Sequence, residues 1–472
     1  GIVPDTRLTL NNSASGIVRM AARPLSMNGG HLELIGHSST AVTEALATDQ
    51  QIAINAGHNL ITLDNNGANL RITTAGTGTF SRASLATAFV RGDGLGQGTG
   101  ATNTNIILAT TTAPTNYQVI VGQTATSGTN TRILPWAIGD TSATSNGTTA
   151  TTQFLTYDAT NGLRPLTAAE MSTAFTTNAN VRVTGALNSG AAATGITSNS
   201  INSLTFENAG PFTVNANRNL QIESGGILAK TSASITGAGT LTTTSQGSIM
   251  NIHTYGSGTV LTLDVALGGR VAPFSSGLAK AGEGKLLLNS TSGNHYTGAT
   301  VINLGTVELA TAAPDTNPLF YRFATAPLVS STSTTNNGDL LILTAGGVLE
   351  LNGNSQVFGE LMSRYSTPGS GGIINNAGAN ATFITSVNNS RNWSGQINGN
   401  LNFIKTGSSQ LTVWSDNQFT GNLTLMGSIT ALGDQGRFSG MGAGDTISIR
   451  NSLLRWDDSV SQGMSNRIAG NV

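Results

Sequence analysis

Cysteine is absent from the 472 residues. That removes disulfide staples and thiolate metal sites, a trait common in exported surface proteins. Charge is scarce: 10% of residues are Asp, Glu, Lys or Arg, against about 25% in an ordinary globular protein. Disorder normally goes with high net charge, whereas the formal net charge here is −1. The same balance removes the electrostatic case for nucleic acid or an anionic membrane as partner. Aromatic residues are 5%, and the 38% hydrophobic content is low for a compact globule but adequate for a thin, continuous core. No apolar run reaches the ~18 residues of a membrane span, so no membrane insertion is expected in this segment. There is no signal peptide or initiator Met, and the stretch from Gly1 to Val472 reads as a processed or excised part of a longer precursor. An amphipathic 3.6-residue period of any length is missing as well.

What the chain has is glycine, 59 residues of it, with many Ser, Thr and Asn around short β-runs. In residues 1–80, runs such as Leu32-Glu33-Leu34-Ile35, Leu60-Ile61-Thr62-Leu63 and Leu70-Arg71-Ile72-Thr73 alternate with Gly or Asn turns. Residues 81–180 are less regular and read as a loop-rich elaboration. Within them Thr167 and Glu170 have the spacing of a capping box, so one helical turn is expected after Pro165. Regular coils resume from 181 to 472.

Two copies of one pattern lie in that last part, at 278–309 and 401–431. Aligned, Lys280 falls on Lys405, Gly282 on Gly407, Leu286 on Leu411 and Leu288 on Val413. Tyr296 then matches Phe419, Gly298 matches Gly421, and Gly305 matches Gly427. Four extra residues of the first copy fall in its polar connection, and insertions in turns between intact strands are what a coiled solenoid tolerates. The pattern resembles the autotransporter-associated β-strand repeat of large secreted bacterial surface proteins. The first copy also keeps Gly284, whereas the second has Ser409 at that place and Phe419 for the usual Tyr. The resemblance implies an all-β fold, a right-handed parallel β-helix, and secretion to the cell surface.

In such a fold each coil buries alternate side chains along three short strands, and Gly and Asn turn the corners. Asn amides can also ladder between equivalent positions of successive coils. With coils of roughly 20–25 residues the chain would form about 20 coils, a rod of about 100 Å. Neither terminus shows an obvious polar cap, so coil edges are expected to stack end to end.

Candidate sites are sparse. Arg91-Gly92-Asp93 spells an integrin-type tripeptide, but so short a match is better read as a turn between coils. His31, His37, His58, His253 and His295 show no metal-ligand spacing. Asp457-Asp458 is an adjacent acidic pair, and neighbours on a strand point to opposite faces. Acids do not recur at a coil period, as a polysaccharide-cleaving β-helix would need. Trp393, Trp414, Tyr296 and Phe419 are candidates for stacking on sugar rings, or else for covering coil corners. No catalytic residue, cofactor or metal is expected. The expected role is structural or adhesive and extracellular, with itself as partner in an end-to-end homo-oligomer or filament, or with a cell-surface polysaccharide.

Overall fold

The computed structural model describes residues 6–20, 23–76, 78–83, 85–98, 100–108, 127–191, 194–195, 197–243, 249–268, 277–290, 294, 296, 298–310, 340–457 and 467–468. Among these, nearly every regular element is a strand, and stacked parallel coils build a β-solenoid of about 16 turns. The coils form two stacks rather than one.

The first solenoid is three-faced. One face stacks Arg7–Asn11, His31–Ile35, His58–Asp64, Thr87–Gly92 and Leu134–Asp140 in parallel. The other two stack Leu25–Met27, Ile52–Ile54 and Phe80–Arg82, and Val42–Thr48, Leu70–Ala75 and Thr104–Ile107. Leu32, Ile61 and Val90 form one core column, a step of 29 residues per coil. Coils this long are one reason the chain makes about 16 turns where 20 were expected. The region 81–165 thus carries the next coils of the same stack, which ends in an antiparallel pair, Gln153–Asp158 with Gly162–Pro165. The expected helical turn follows: Ala168–Glu170 is a 3-10 turn, and the Glu170 carboxylate accepts from Thr167 N (2.9 Å) and Thr167 Oγ1 (3.0 Å). Arg164 also grips that carboxylate through both terminal nitrogens, at 2.7 and 2.8 Å.

The second solenoid runs from Asn180 onward, again with three faces. Its inner face stacks Asn180–Val183, residues 203–206 and 226–229, Ile249–Thr254, Gly277–Ala281, Thr300–Ile302, Leu340–Leu343 and Glu360–Met362. Arg391–Trp393, Leu411–Val413, Ile429–Leu432 and Leu453–Trp456 carry that stack on. A first outer face passes through Val260–Leu263, Lys285–Leu288, Gly305–Leu309 and Gly347–Glu350. A second outer face includes residues 381–386 and 401–406, Leu423–Met426 and Ile447–Arg450.

Burial shows which faces meet. Outer strands alternate, as in Lys285–Leu288, where Leu286 and Leu288 are buried and their neighbours half-exposed. Gly277–Ala281, Leu340–Leu343 and Leu134–Asp140 are buried at every residue, the pattern of a sheet covered on both sides. The cover is the other solenoid. Phe89, Ile138 and Phe154 of the first pack with Leu228 and Tyr255 of the second, and Leu85 packs with Val301 and Ile342. Late coils of the first stack lie on early coils of the second: Lys230 Nζ donates to Thr149 O (3.1 Å). Earlier coils lie on later ones: Arg82 donates to Asn251 Oδ1 (2.9 Å), and Asn303 donates to Leu85 O (2.9 Å). The two solenoids therefore lie side by side, running in opposite directions.

Candidate functional site

The two copies of the repeat occupy different faces. In the first, Lys280 sits on the inner face and Leu286 and Leu288 on the first outer face. In the second, Lys405 sits on the second outer face, and Leu411 and Val413 on the continuation of the inner one. The motif is rotated by one face, because what it encodes is a corner between two strands, and it serves at two different corners. Its glycines make the corner. Gly282 and Gly407 have φ of +80° and +96°, and a Cβ there would lie 2.1 Å from Thr254 O and 2.4 Å from Val387 O. Gly305 and Gly427 stack on them in the next coil, each leaving a Cβ only 2.3 Å from the carbonyl oxygen of Gly282 or Gly407. Gly284 and Gly421 likewise lie against Thr259 O and Leu401 O, and Gly298 is half-buried.

The repeat lysines point into the core. Lys280 stands in a column with Ile252 and Ile302, and its Nζ donates to the carbonyls of Ala281 (2.9 Å), Gly282 (2.7 Å) and Leu304 (3.1 Å). Burial pushes its amine down to about 7, against the pull of Glu283. Lys405 is equally covered, between Thr385 and Leu425, and its Nζ has no hydrogen-bond partner among the described residues. Burial brings it down to about 8.

Most of the aromatic candidates for sugar stacking are inside. Trp393, Phe419 and Tyr296 are buried, with the Trp393 indole donating to Asn417 Oδ1 (3.2 Å) and the Tyr296 hydroxyl 2.8 Å from Thr300 Oγ1. Strand alternation alone does not say which face is in, so the sequence does not separate the two roles. Trp414 alone of the four is half-exposed, its indole donating to Asn392 Oδ1 (3.0 Å). Elsewhere, along the second outer face, the surface carries an amide ladder: Asn402 donates to Asn380, Asn380 donates to Asn400, and Asn422 and Thr446 continue it coil by coil.

Arg91-Gly92-Asp93 is the end of a central strand, not a protruding loop. Arg91 Nε donates to Thr62 Oγ1 (3.0 Å), the Asp93 carboxylate accepts from Ala143 N (3.1 Å), and Gly92 is buried. Asp457 lies 3.6 Å from Arg455, while Asp458 and His295 fall outside the described residues. His31 meets Thr62 Oγ1 (2.9 Å), and His37 accepts from the backbone of Ser39 and Thr40. His58 and His253, far apart in sequence, meet Tyr255 in the layer between the solenoids. No sequence spacing could have shown this. Among the described residues, no three His, Cys, Asp or Glu side chains gather as a metal would require, and no helix is long and apolar enough to cross a membrane.

Exposed large hydrophobic side chains among the described residues cluster in two places. Leu8, Ile17 and Val18 lie in the first coil, and Ile449, Leu453 and Trp456 in the last, all between 43% and 60% exposed. Leu8 continues the core column of Leu32, Ile449 that of Leu425, and Trp456 that of Leu432. These are core positions with no coil over them among the described residues. The first coil is partly closed by a device the sequence did not reveal. Buried Glu44 accepts from Asn12 Nδ2 (3.0 Å), Arg19 N (2.9 Å) and Met20 N (2.8 Å), tying the 12–20 segment over its own strand.

Compared with family models, with curated proteins and with solved structures, the chain matches none of them.

Proposed function

We propose that this chain is a non-enzymatic, extracellular structural or adhesive element of a bacterial cell surface, elongating by stacking of its coil ends. The resemblance of residues 278–309 and 401–431 to autotransporter-associated repeats supports the setting. The observation that carries the assembly is the row of half-exposed core positions, Ile449 and Trp456, on strands whose outer edges are free to pair among the described residues. A parallel strand laid on that coil would bury them and extend every column by one step. Further coils of a longer chain meet that need as well as a second copy does. Negative-stain imaging over a concentration series separates the two. Filaments whose abundance rises with concentration, and fall apart in Trp456→Lys, are expected. Single particles of constant length at every concentration overturn self-association and leave a stalk segment.

A second reading is polysaccharide binding at Trp414, since a half-exposed indole held by an Asn392 amide suits a sugar ring. Polysaccharide cleavage belongs to the same reading. Binding to a glycan panel that falls at least tenfold in Trp414→Ala would favour it, and equal binding by both forms would remove it.

A further inference from the structure

We propose that the layer between the two solenoids is an acid-labile joint, which opens when His58 and His253 take up protons. His253 is buried in that layer and His58 is half-buried at it, one on each stack. His58 places Nδ1 3.1 Å from Thr87 Oγ1 and Nε2 3.3 Å from the Tyr255 hydroxyl. His253 places Nε2 2.9 Å from Pro135 O across the joint, so that nitrogen carries the hydrogen. Its Nδ1 is buried with no partner among the described residues. A second proton has no acceptor there. At His58, whose two ring nitrogens face the Thr87 and Tyr255 hydroxyls, a second proton leaves both hydroxyls able only to accept from the ring.

The charged groups that face the pair make matters worse. Lys280 acts on both rings from the second solenoid, and Arg82 acts on His253 from the first. His253 also opposes a charge on His58. The carboxylate felt here, Glu283, is exposed and acts on Lys280 and Tyr255. Burial, the largest cause, holds both rings down to about 3 from 6.5. A lowered folded value means stability that is whole above about 6.5 and is lost as pH falls toward 3. At pH 4.5 each ring would shift the opening equilibrium roughly 100-fold toward the open form. The coils should survive that shift. Each stack is held by its own backbone ladders, whereas the joint rests on side-chain packing and scattered bonds such as Arg82 to Asn251 and Asn303 to Leu85.

The test is small-angle scattering and far-ultraviolet circular dichroism of the whole chain from pH 7.5 to 3. The expected result is a reversible rise in radius of gyration between pH 6 and 3.5 with the strand signal kept, and no rise in His58→Gln/His253→Gln. An unchanged radius down to pH 3.5, or opening of the double variant at the same pH, overturns the proposal. Ring proton spectra of the unaltered chain give a check that needs no variant. Two histidines should stay neutral below pH 5 until the particle opens, and titration of all rings near 6.5 in the closed particle would contradict the joint.

Discussion

The two solenoids solve one problem with different coils. The first steps 29 residues in its middle coils and 49 from Val90 to Gly139, and its long corners are filled by buried polar groups. Asp140 is the clearest of these, accepting from Ser142 N (2.9 Å), Ser145 Oγ (2.8 Å) and three threonine hydroxyls. Late coils of the second step 20 residues, as Phe383, Phe403 and Leu423 stack in register. Their core is an aromatic file: Phe358, Phe383, Phe403, Phe419 and Phe438 follow one another with ring centroids 5.9 to 6.1 Å apart. Short coils are filled mostly by apolar side chains between Gly corners, with few buried polar groups such as Lys405 and Asn417 among them, whereas wide coils hold loops that must satisfy their own backbone. Stability in such a stack adds from neighbour to neighbour, so the two halves should fail separately.

The largest expected effect comes from emptying the aromatic file. Phe403→Ala should cost about 3–5 kcal/mol and speed hydrogen exchange in residues 373–432 while the coils of residues 31–92 keep their protection. Equal loss in both solenoids would show one cooperative unit and break the contrast. A smaller effect is expected at the corners. Gly407→Ala meets both positive φ and a carbonyl at 2.4 Å, and should cost on the order of 1–3 kcal/mol, read as a lower denaturation midpoint. The same substitution at Gly442, with its nearest atom 3.7 Å away, should leave the midpoint where it is.

Smaller still, and dependent on pH, is the difference between the two repeat lysines. Each has a folded value below its ordinary 10.5, so stability should rise with pH, from about 7 for Lys280 and from about 8 for Lys405. Lys405→Met should flatten its share of that rise at no loss of stability at pH 7, because the amine it removes has no partner. Lys280→Met should flatten its share too but lower the midpoint, since three carbonyls lose their donor. Denaturation midpoints of the two variants at pH 7 and pH 10 decide the matter, and identical behaviour would mean that both lysines are bonded alike.

The parallel solenoid was legible because the repeat fixes strand, Gly corner and strand at constant spacing, and the Thr167–Glu170 turn because its cap is local. The fold-back was not. Its trace is the loss of alternation in stretches such as Leu134–Asp140 and Leu340–Leu343, which mark strands covered on both faces. A single short apolar run says that a strand is buried, but not by what. For the same reason Trp393 and Phe419 looked available to a ligand, and His58 looked unrelated to His253.

The side-by-side arrangement is the claim on which the rest depends, and a distance tests it. The chain has no cysteine of its own, so Asn28→Cys and Ala345→Cys can be spin-labelled as a single pair. Gly57 touches Gly29 and also approaches Thr344, so both sites border the joint. A separation within roughly 25 Å is expected from two sheets packed face to face. About ten coils in one straight stack would put the labels about 50 Å apart, and that distance would contradict the doubled solenoid.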